Sequence, residues 1–244
     1  MLASEGHRIF SIELAREFSS RVGLNAPYLT EALYHLRRNR WIVPLRRGLY
    51  AISLPGAVPI HEFEIAMALV HPAAISHWSA MHHHNLTEQI PRRVFVSTTQ
   101  GSAPRVASTT CQFVQVKPEH FFGAEQIWIG EARVSITDLE RTLVDGLWMP
   151  RYCGDFAEVL HAFEVAAAHL DLDKIVGYAL RLGGTIAKRL GWVLEQQGIG
   201  LDRLLPLQRA PIKGYRKLDP SGPRKGPYRA RWMIQENLPG KLRG

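Results

Sequence analysis

Cysteine is almost missing: Cys111 and Cys153 are the two in 244 residues. They allow at most one bridge, and no CxxC or Cys/His spacing suggests zinc, so neither a disulfide-stapled nor a zinc-held fold is expected. Long apolar runs are missing too. Segments such as Ile65 to Val70 and Val165 to Leu170 fall well short of the roughly 18 residues a membrane helix needs. The N-terminus lacks the apolar centre of a signal peptide. A soluble, cytoplasmic protein with no membrane partner is therefore the expectation. No G-x-S-x-G, G-x-x-x-x-G-K or G-x-G-x-x-G occurs, which leaves serine hydrolase, P-loop and Rossmann readings without a foothold. What remains is an ordinary globular composition, 46% hydrophobic, enough to bury one large or two smaller cores.

The net charge of +8 is unevenly placed. Residues 1–53 carry a net +4, residues 54–202 a net −5, and residues 203–244 a net +9. A localised excess marks a surface for a polyanion, whereas a diffuse one only aids solubility. Two basic ends around a mildly acidic middle suggest that the ends touch phosphate. For residues 203–227 a solvated basic tail is an equal alternative.

The first 53 residues have a recognisable order. Ser11 is a plausible N-cap for a helix whose apolar residues Ile12, Leu14, Ala15, Phe18 and Val22 share a face up to Gly23. A second helix opens at Asn25 or Ala26 with Pro27 in its first turn and carries Leu29, Leu33 and Leu36 as its apolar seam. Trp41 to Val43 and Leu49 to Ile52 then predict two strands around a turn at Arg46, Arg47 and Gly48. Helix, tight turn, helix, hairpin is the order of a winged helix-turn-helix. A complete winged domain begins with a further helix, for which residues 1–9 offer barely two turns; that helix is short or starts upstream.

Pro55 and Pro59 mark a linker, so the expected domains are 1–53, a DNA-binding winged helix-turn-helix, and 54–244, a mixed unit. In the second, Glu62 to Val70 and Ser76 to His84 predict helices. Arg92 to Thr98, Gln112 to Val116, Ile127 to Ile129 and Arg133 to Ile136 predict a sheet of about four strands between residues 74 and 136, with a Gly/Ser/Pro loop after the first of them. Four helices are expected over 138–148, 156–169, 172–182 and 186–197. Thr137 with Glu140 and Asp155 with Glu158 have capping-box spacing, and Asp171 and Thr185 are further N-caps. Residues 230–234 offer a last strand returning to the sheet. The fold class is α+β.

A recognition helix needs one face for its core and one for DNA. With Leu29, Leu33 and Leu36 inward, Tyr28, Thr30, Glu31, Tyr34 and Arg38 remain outside, a mixture of donors, acceptors and aromatic edges. Arg37, Arg38 and Arg40 crowd the helix end, and Arg46 and Arg47 tip the hairpin where a wing lies along phosphate. These nine residues are the expected double-stranded DNA interface. The alternative is a protein-interaction module in which the helix-end arginines only complement the dipole, which leaves the hairpin arginines unexplained.

Several segments taken in order resemble the AbiEi-type antitoxins of type IV toxin–antitoxin systems. They are Arg46 to Ala51, Ile75 to Ala80 followed by His82 to His84, Ile136 to Asp145, and Arg231-Trp232 with Asn237. The resemblance spans nearly the whole chain and rests on order and spacing. It implies a bacterial autorepressor, not an enzyme and with no cofactor, acting as monomer or dimer on inverted repeats at its own promoter. It also implies a C-terminal domain that counters a nucleotidyltransferase-like toxin without necessarily holding it in a stable complex.

Two other chemistries have some footing in the residues. His61, His71, His77, His82, His83 and His84 invite a metal, but neighbouring helical histidines diverge and only pairs such as His77 with His84 share a face, so no metal site is expected. Asp138, Glu140 and Asp145 invite a magnesium-dependent nuclease. Asp138 and Glu140 lie about 200° apart on a helix, and a capping role already accounts for Glu140, which disfavours that reading.

Overall fold

The computed structural model describes residues 5–101 and 111–238, and it is a mixed α+β structure. It opens with β1 (Ile9–Ser11), α1 (Ile12–Arg21), α2 (Ala26–Arg38), β2 (Ile42–Arg46) and β3 (Leu49–Ile52). Both helices start where their capping residues dictate. The side chain of Ser11 accepts from the Leu14 amide at 3.2 Å and that of Asn25 from the Tyr28 amide at 3.2 Å, satisfying amides that no helical carbonyl can reach. Of the stretch expected to hold a short opening helix, residues 1–4 lie outside the described residues, and a strand already begins at Ile9. That strand pairs antiparallel with β3, so the sheet order is β1-β3-β2. Phe10, Ala15, Leu33 and Ile42 form the core between this sheet and the two helices.

The second unit follows as α3 (Glu62–Leu69), β4 (Ala73–Ile75), α4 (His77–His83), β5 (Val94–Thr98), β6 (Cys111–Gln115), β7 (Ala124–Ile129) and β8 (Ala132–Thr137). The sheet has five strands, ordered β6-β5-β4-β8-β7. The added strand is β4, three residues running straight into the helix, too short to show a period of its own. The β5–β6 and β4–β8 pairs are parallel, and the rest are antiparallel. Most of the Gly/Ser/Pro loop before β6 lies outside the described residues. Phe63, Ala66, Val70 and Ala80 cover one side of the sheet through Ile75, Val96, Val134 and Ile136.

A helical layer completes the unit: α5 (Leu139–Trp148), α6 (Phe156–Ala166), α7 (Leu172–Leu182), α8 (Gly184–Gln196) and α9 (Leu201–Arg209). Leu143, Leu147, Phe163, Ile175, Leu190 and Leu194 are fully or almost fully buried at its centre. Two expected caps are corrected. The N-cap of α5 is Asp138, not Thr137, and its carboxylate accepts from the Arg141 amide at 2.8 Å. That of α8 is Gly183, whose φ of 108° a side chain would resist, so Thr185 falls inside the helix. The fifth helix, α9, contains Pro206. It begins five residues before that proline, and Leu204 and Leu207 are buried.

The chain ends in β9 (Arg216–Lys217), β10 (Tyr228–Arg229) and β11 (Ile234–Gln235). These make a separate three-stranded sheet, β10-β11-β9, and do not return to the five-stranded one as expected. Residues 230–232 form a 3-10 turn because Trp232 inserts into the helical layer against α8, its indole nitrogen donating to Glu195. The 207–227 segment runs from the end of α9 through β9 up to β10 and is tied to this sheet. Asn237, 2% exposed, holds Asp219 through its amide and carbonyl and also holds the Pro223 carbonyl, all at 2.9 Å.

Candidate nucleic-acid interface

All nine residues expected at the interface are solvent-exposed. Leu33 is buried and Leu29 and Leu36 are half-buried against the sheet, so α2 turns its opposite arc outward. That arc divides. At about 100° per residue, Tyr28, Glu31 and His35 form one flank, which borders Ala32, Leu36, Asn39 and Trp41 in a shallow groove. Thr30, Tyr34 and Arg37 form the other flank, with Arg38 between them. Glu31 sits 3.8 Å from His35, an exposed pair of little energetic weight. The structure therefore separates Tyr28 and Glu31 from Thr30 and Tyr34, which the sequence treated as one set.

Arg40 follows the helix in the left-handed region, with φ of 59°. Its amide bonds the Arg37 carbonyl at 3.0 Å and the next amide, of Trp41, bonds Leu36 at 2.9 Å, the pattern of a Schellman ending usually given to glycine. The turn sends the chain directly into β2 and places Arg40 beside Arg37 and Arg38.

At the hairpin tip Gly48, φ 75°, makes the turn between the arginines and β3. Its carbonyl accepts from the Ile12 amide at 2.7 Å, and a side chain there would press on Ile12 at 3.2 Å. The tip is thus held against the first turn of α1. Arg46 and Arg16 lie near enough to add to the lowering of the Glu13 carboxyl pKa, which comes first from hydrogen bonds with its own backbone and the Ser11 hydroxyl. Arg16 was not singled out from the sequence. It belongs to no motif, and only the folded hairpin brings a second cation to it. None of Arg37, Arg38, Arg40, Arg46 and Arg47 forms an ion pair among the described residues.

Beside α2 is an open apolar groove of about 380 Å³ lined by Phe18, Val22, Leu24, Ala32, Trp41 and Leu54, among others. Val22, Leu24, Trp41 and Leu54 are each at least 40% exposed.

The acidic motif after β8 is occupied structurally. The Asp138 carboxylate, beyond capping α5, accepts from the Tyr178 hydroxyl at 2.9 Å and meets Lys174 at 3.3 Å. Burial, then the bond to Asp138, pushes Tyr178 up to about 12. Glu140 does not turn back on the helix start: it meets Lys174 at 2.8 Å and accepts from the Asp171 amide at 3.1 Å. Burial lowers the Lys174 ammonium, but the hydrogen bond to Glu140 and the two carboxylate charges outweigh it and hold its pKa above the ordinary value. Asp145 and Arg141 pair at 2.8 Å with both side chains enclosed, and the guanidinium rests over the Phe122 ring at 4.2 Å. No pair of these carboxylates is left facing solvent to hold magnesium.

The histidines disperse as well. His77 is fully buried with Nδ1 at 2.8 Å from the Ser76 hydroxyl, while His84 Nε2 meets the Thr137 carbonyl at 2.8 Å. Among the described residues no three His, Cys, Asp or Glu side chains converge as a metal site. Cys111 and Cys153 are not joined in a disulfide. Among the described residues no helix is long and apolar enough to cross a membrane.

No protein-family model matches the chain, and no curated protein matches it. A solved structure does. The crystal structure of the RV2827C protein from Mycobacterium tuberculosis superposes with a TM-score of 0.71 over 96% of this chain and 87% of that one, at 14% identity. At that identity the likeness concerns the fold alone.

Proposed function

We propose that the protein is a DNA-binding transcription regulator, not an enzyme, whose first unit is a winged helix-turn-helix. The observation that carries this is the set of exposed arginines at the end of α2 and at the hairpin tip, none of them within ion-pair distance of a carboxylate among the described residues. Helix-dipole complementation accounts for Arg37 and Arg38 but not for Arg46 and Arg47. The β1-α1-α2-β2-β3 order and the β1-β3-β2 sheet are those a winged domain uses after its opening helix. In this reading Thr30, Tyr34 and Arg38 reach base edges, Arg37 and Arg40 flank them, and Arg46, Arg47 and Arg16 contact phosphate. Tyr28 and Glu31 stand at the margin. With the resemblance to AbiEi-type antitoxins, the regulator is an autorepressor on inverted repeats, as monomer or dimer, and the second unit counters a nucleotidyltransferase-like toxin.

Anisotropy on a duplex from the upstream intergenic region tests this. Replacing Arg46 and Arg47 with alanine weakens all duplexes alike and shallows the salt dependence by about 0.9 for each phosphate no longer neutralised. Tyr34→Ala narrows the gap between operator and random sequence, and Tyr28→Ala leaves it nearly unchanged. Parental behaviour in both the Arg46/Arg47 and Tyr34 variants would overturn the assignment.

A second reading, a protein-interaction module, is favoured by the apolar groove beside α2. It predicts no salt-dependent duplex binding, so the same titration separates the two.

A further inference from the structure

The C-terminal sheet carries a second cluster of cations, built differently from the first. Tyr215 immediately precedes β9 and Tyr228 lies in β10, the two outer strands of the sheet, and their rings meet edge to face at 4.8 Å. They are 42% and 62% exposed. Within four residues of one or the other in the chain, Lys213, Arg216, Arg224 and Lys225 are exposed, and none has an ion-pair partner among the described residues. By contrast, Arg229 is neutralised by Glu236 at 2.6 Å and Arg231 by Glu195.

This surface is fixed in place. The loop bearing Arg224 and Lys225 is pinned on one side by Asn237, which bonds the Pro223 carbonyl at 2.9 Å. On the other side Gly226 lies so close to the Glu236 carbonyl that any side chain would overlap it. The Lys217 ammonium closes the loop onto the Gly222 carbonyl at 2.6 Å. A merely solvated basic tail needs neither these ties nor two exposed aromatic rings.

We infer that this sheet is a binding platform for single-stranded nucleic acid, separate from the duplex interface on α2 and the hairpin. Cations alone would suit any polyanion. The rings discriminate, because bases of a duplex are already stacked on one another whereas unpaired bases stack on exposed aromatic side chains. The small sheet holds the two rings in one place, and the four cations near them in the chain follow the phosphates. This inference does not depend on the duplex reading.

The test uses the full chain and labelled oligo-dT and oligo-U of about 15 nucleotides, a size within the span of small single-strand sites, with a duplex of the same length. Replacing both Tyr215 and Tyr228 with alanine is expected to weaken single-strand binding about tenfold and leave duplex binding unchanged. The double phenylalanine variant, which keeps the ring faces, retains parental affinity and excludes misfolding as the cause. Replacing Arg216, Arg224 and Lys225 with glutamine shallows the salt dependence for single strands. Arg46→Ala with Arg47→Ala leaves it as it was. Binding of oligo-U or of oligo-dT upholds the platform, and oligo-dU, which differs from oligo-U only in the sugar, assigns any preference to the 2′-hydroxyl. The inference is overturned if the parent binds neither strand, if the alanine variant binds like the parent or loses duplex equally, or if poly-glutamate of matched charge competes as well as the oligonucleotides.

Discussion

Arg40 holds a backbone conformation that suits glycine, with φ of 59°. A left-handed conformation costs an L-residue about 1 kcal/mol relative to glycine, so selection for stability alone would favour glycine there. Arg40→Gly is therefore expected to raise the urea midpoint of the first unit by the equivalent of up to about 1 kcal/mol while lowering duplex affinity. Loss of both properties would mean that the arginine side chain supports the fold, not DNA. His77 presents the opposite case of a titratable group hidden from solvent. Its pKa is depressed, first by burial and then by Arg141 and Arg151 against the opposing charge of Asp145. The unfolded chain protonates His77 near pH 6.5 while the folded one still resists. Stability is thus full above that value and falls as pH drops below it, by at most about 1.4 kcal/mol per unit. Unfolding of the parent and of His77→Asn, compared between pH 7.5 and 5.5, checks this. The variant should show the shallower decline, and an identical decline in both would remove His77 as its source.

At the level of elements, Gly191 and Trp232 make one of the tight fits of the helical layer. A Cβ on Gly191 would overlap the indole ring carbons, and Trp232 is 1% exposed. Gly191→Ala would gain helix propensity of about 1 kcal/mol but must expel or tilt the indole, and overpacking of this kind costs about 1–3 kcal/mol. The expected outcome is a net loss of stability, with quenched or shifted tryptophan fluorescence; a stabilised variant with unchanged fluorescence would contradict the packing described. This element pair also shows where sequence stops being readable. The helices α5 to α8 were legible from the capping residues at their starts, and Asp155 and Asp171 cap where spacing predicts. The exposure of Tyr34 and Arg38 was legible from the inward seam of leucines on α2, and that of Arg46 and Arg47 from their place at the hairpin turn. By contrast, β1, β4 and β9 to β11 are two or three residues long, below the length at which alternation can be seen. Their pairing depends on partners distant in sequence. Trp232 reads as a strand residue by propensity, yet tertiary burial in front of Gly191 makes it a turn. Glu140 fits a capping box by spacing, but Lys174, 34 positions later, claims it.

Across the molecule, the hairpin that carries Arg46 and Arg47 is not suspended on a free linker. Its inner face, Leu45, Leu49 and Ala51, is buried together with Leu69 of α3, and Ile60, Ile65 and Phe113 pack around them. Arg8 adds an ion pair to Glu64 at 3.2 Å and hydrogen bonds to the carbonyls of Val58 and Pro59 at 3.1 and 2.9 Å. Larger cores lie elsewhere, one against the five-stranded sheet and one within the helical layer, and the two units meet through this smaller apolar joint. Truncating Leu69, 2% exposed, to alanine removes buried methyl groups from the joint and should cost about 2–5 kcal/mol. Because the joint is small and is built from β1, the hairpin, the linker residue Ile60, α3 and β6, the loss should be local. Hydrogen exchange is expected to accelerate for amides of β2, β3 and α3, while amides of α5 and α8 keep their protection. Duplex affinity should fall as the hairpin arginines lose their fixed position, and the salt slope should shallow with it. If protection in α5 and α8 fell in parallel with that of the hairpin, the chain would be unfolding as one cooperative body, and the joint would be part of a single core instead of a seam between two.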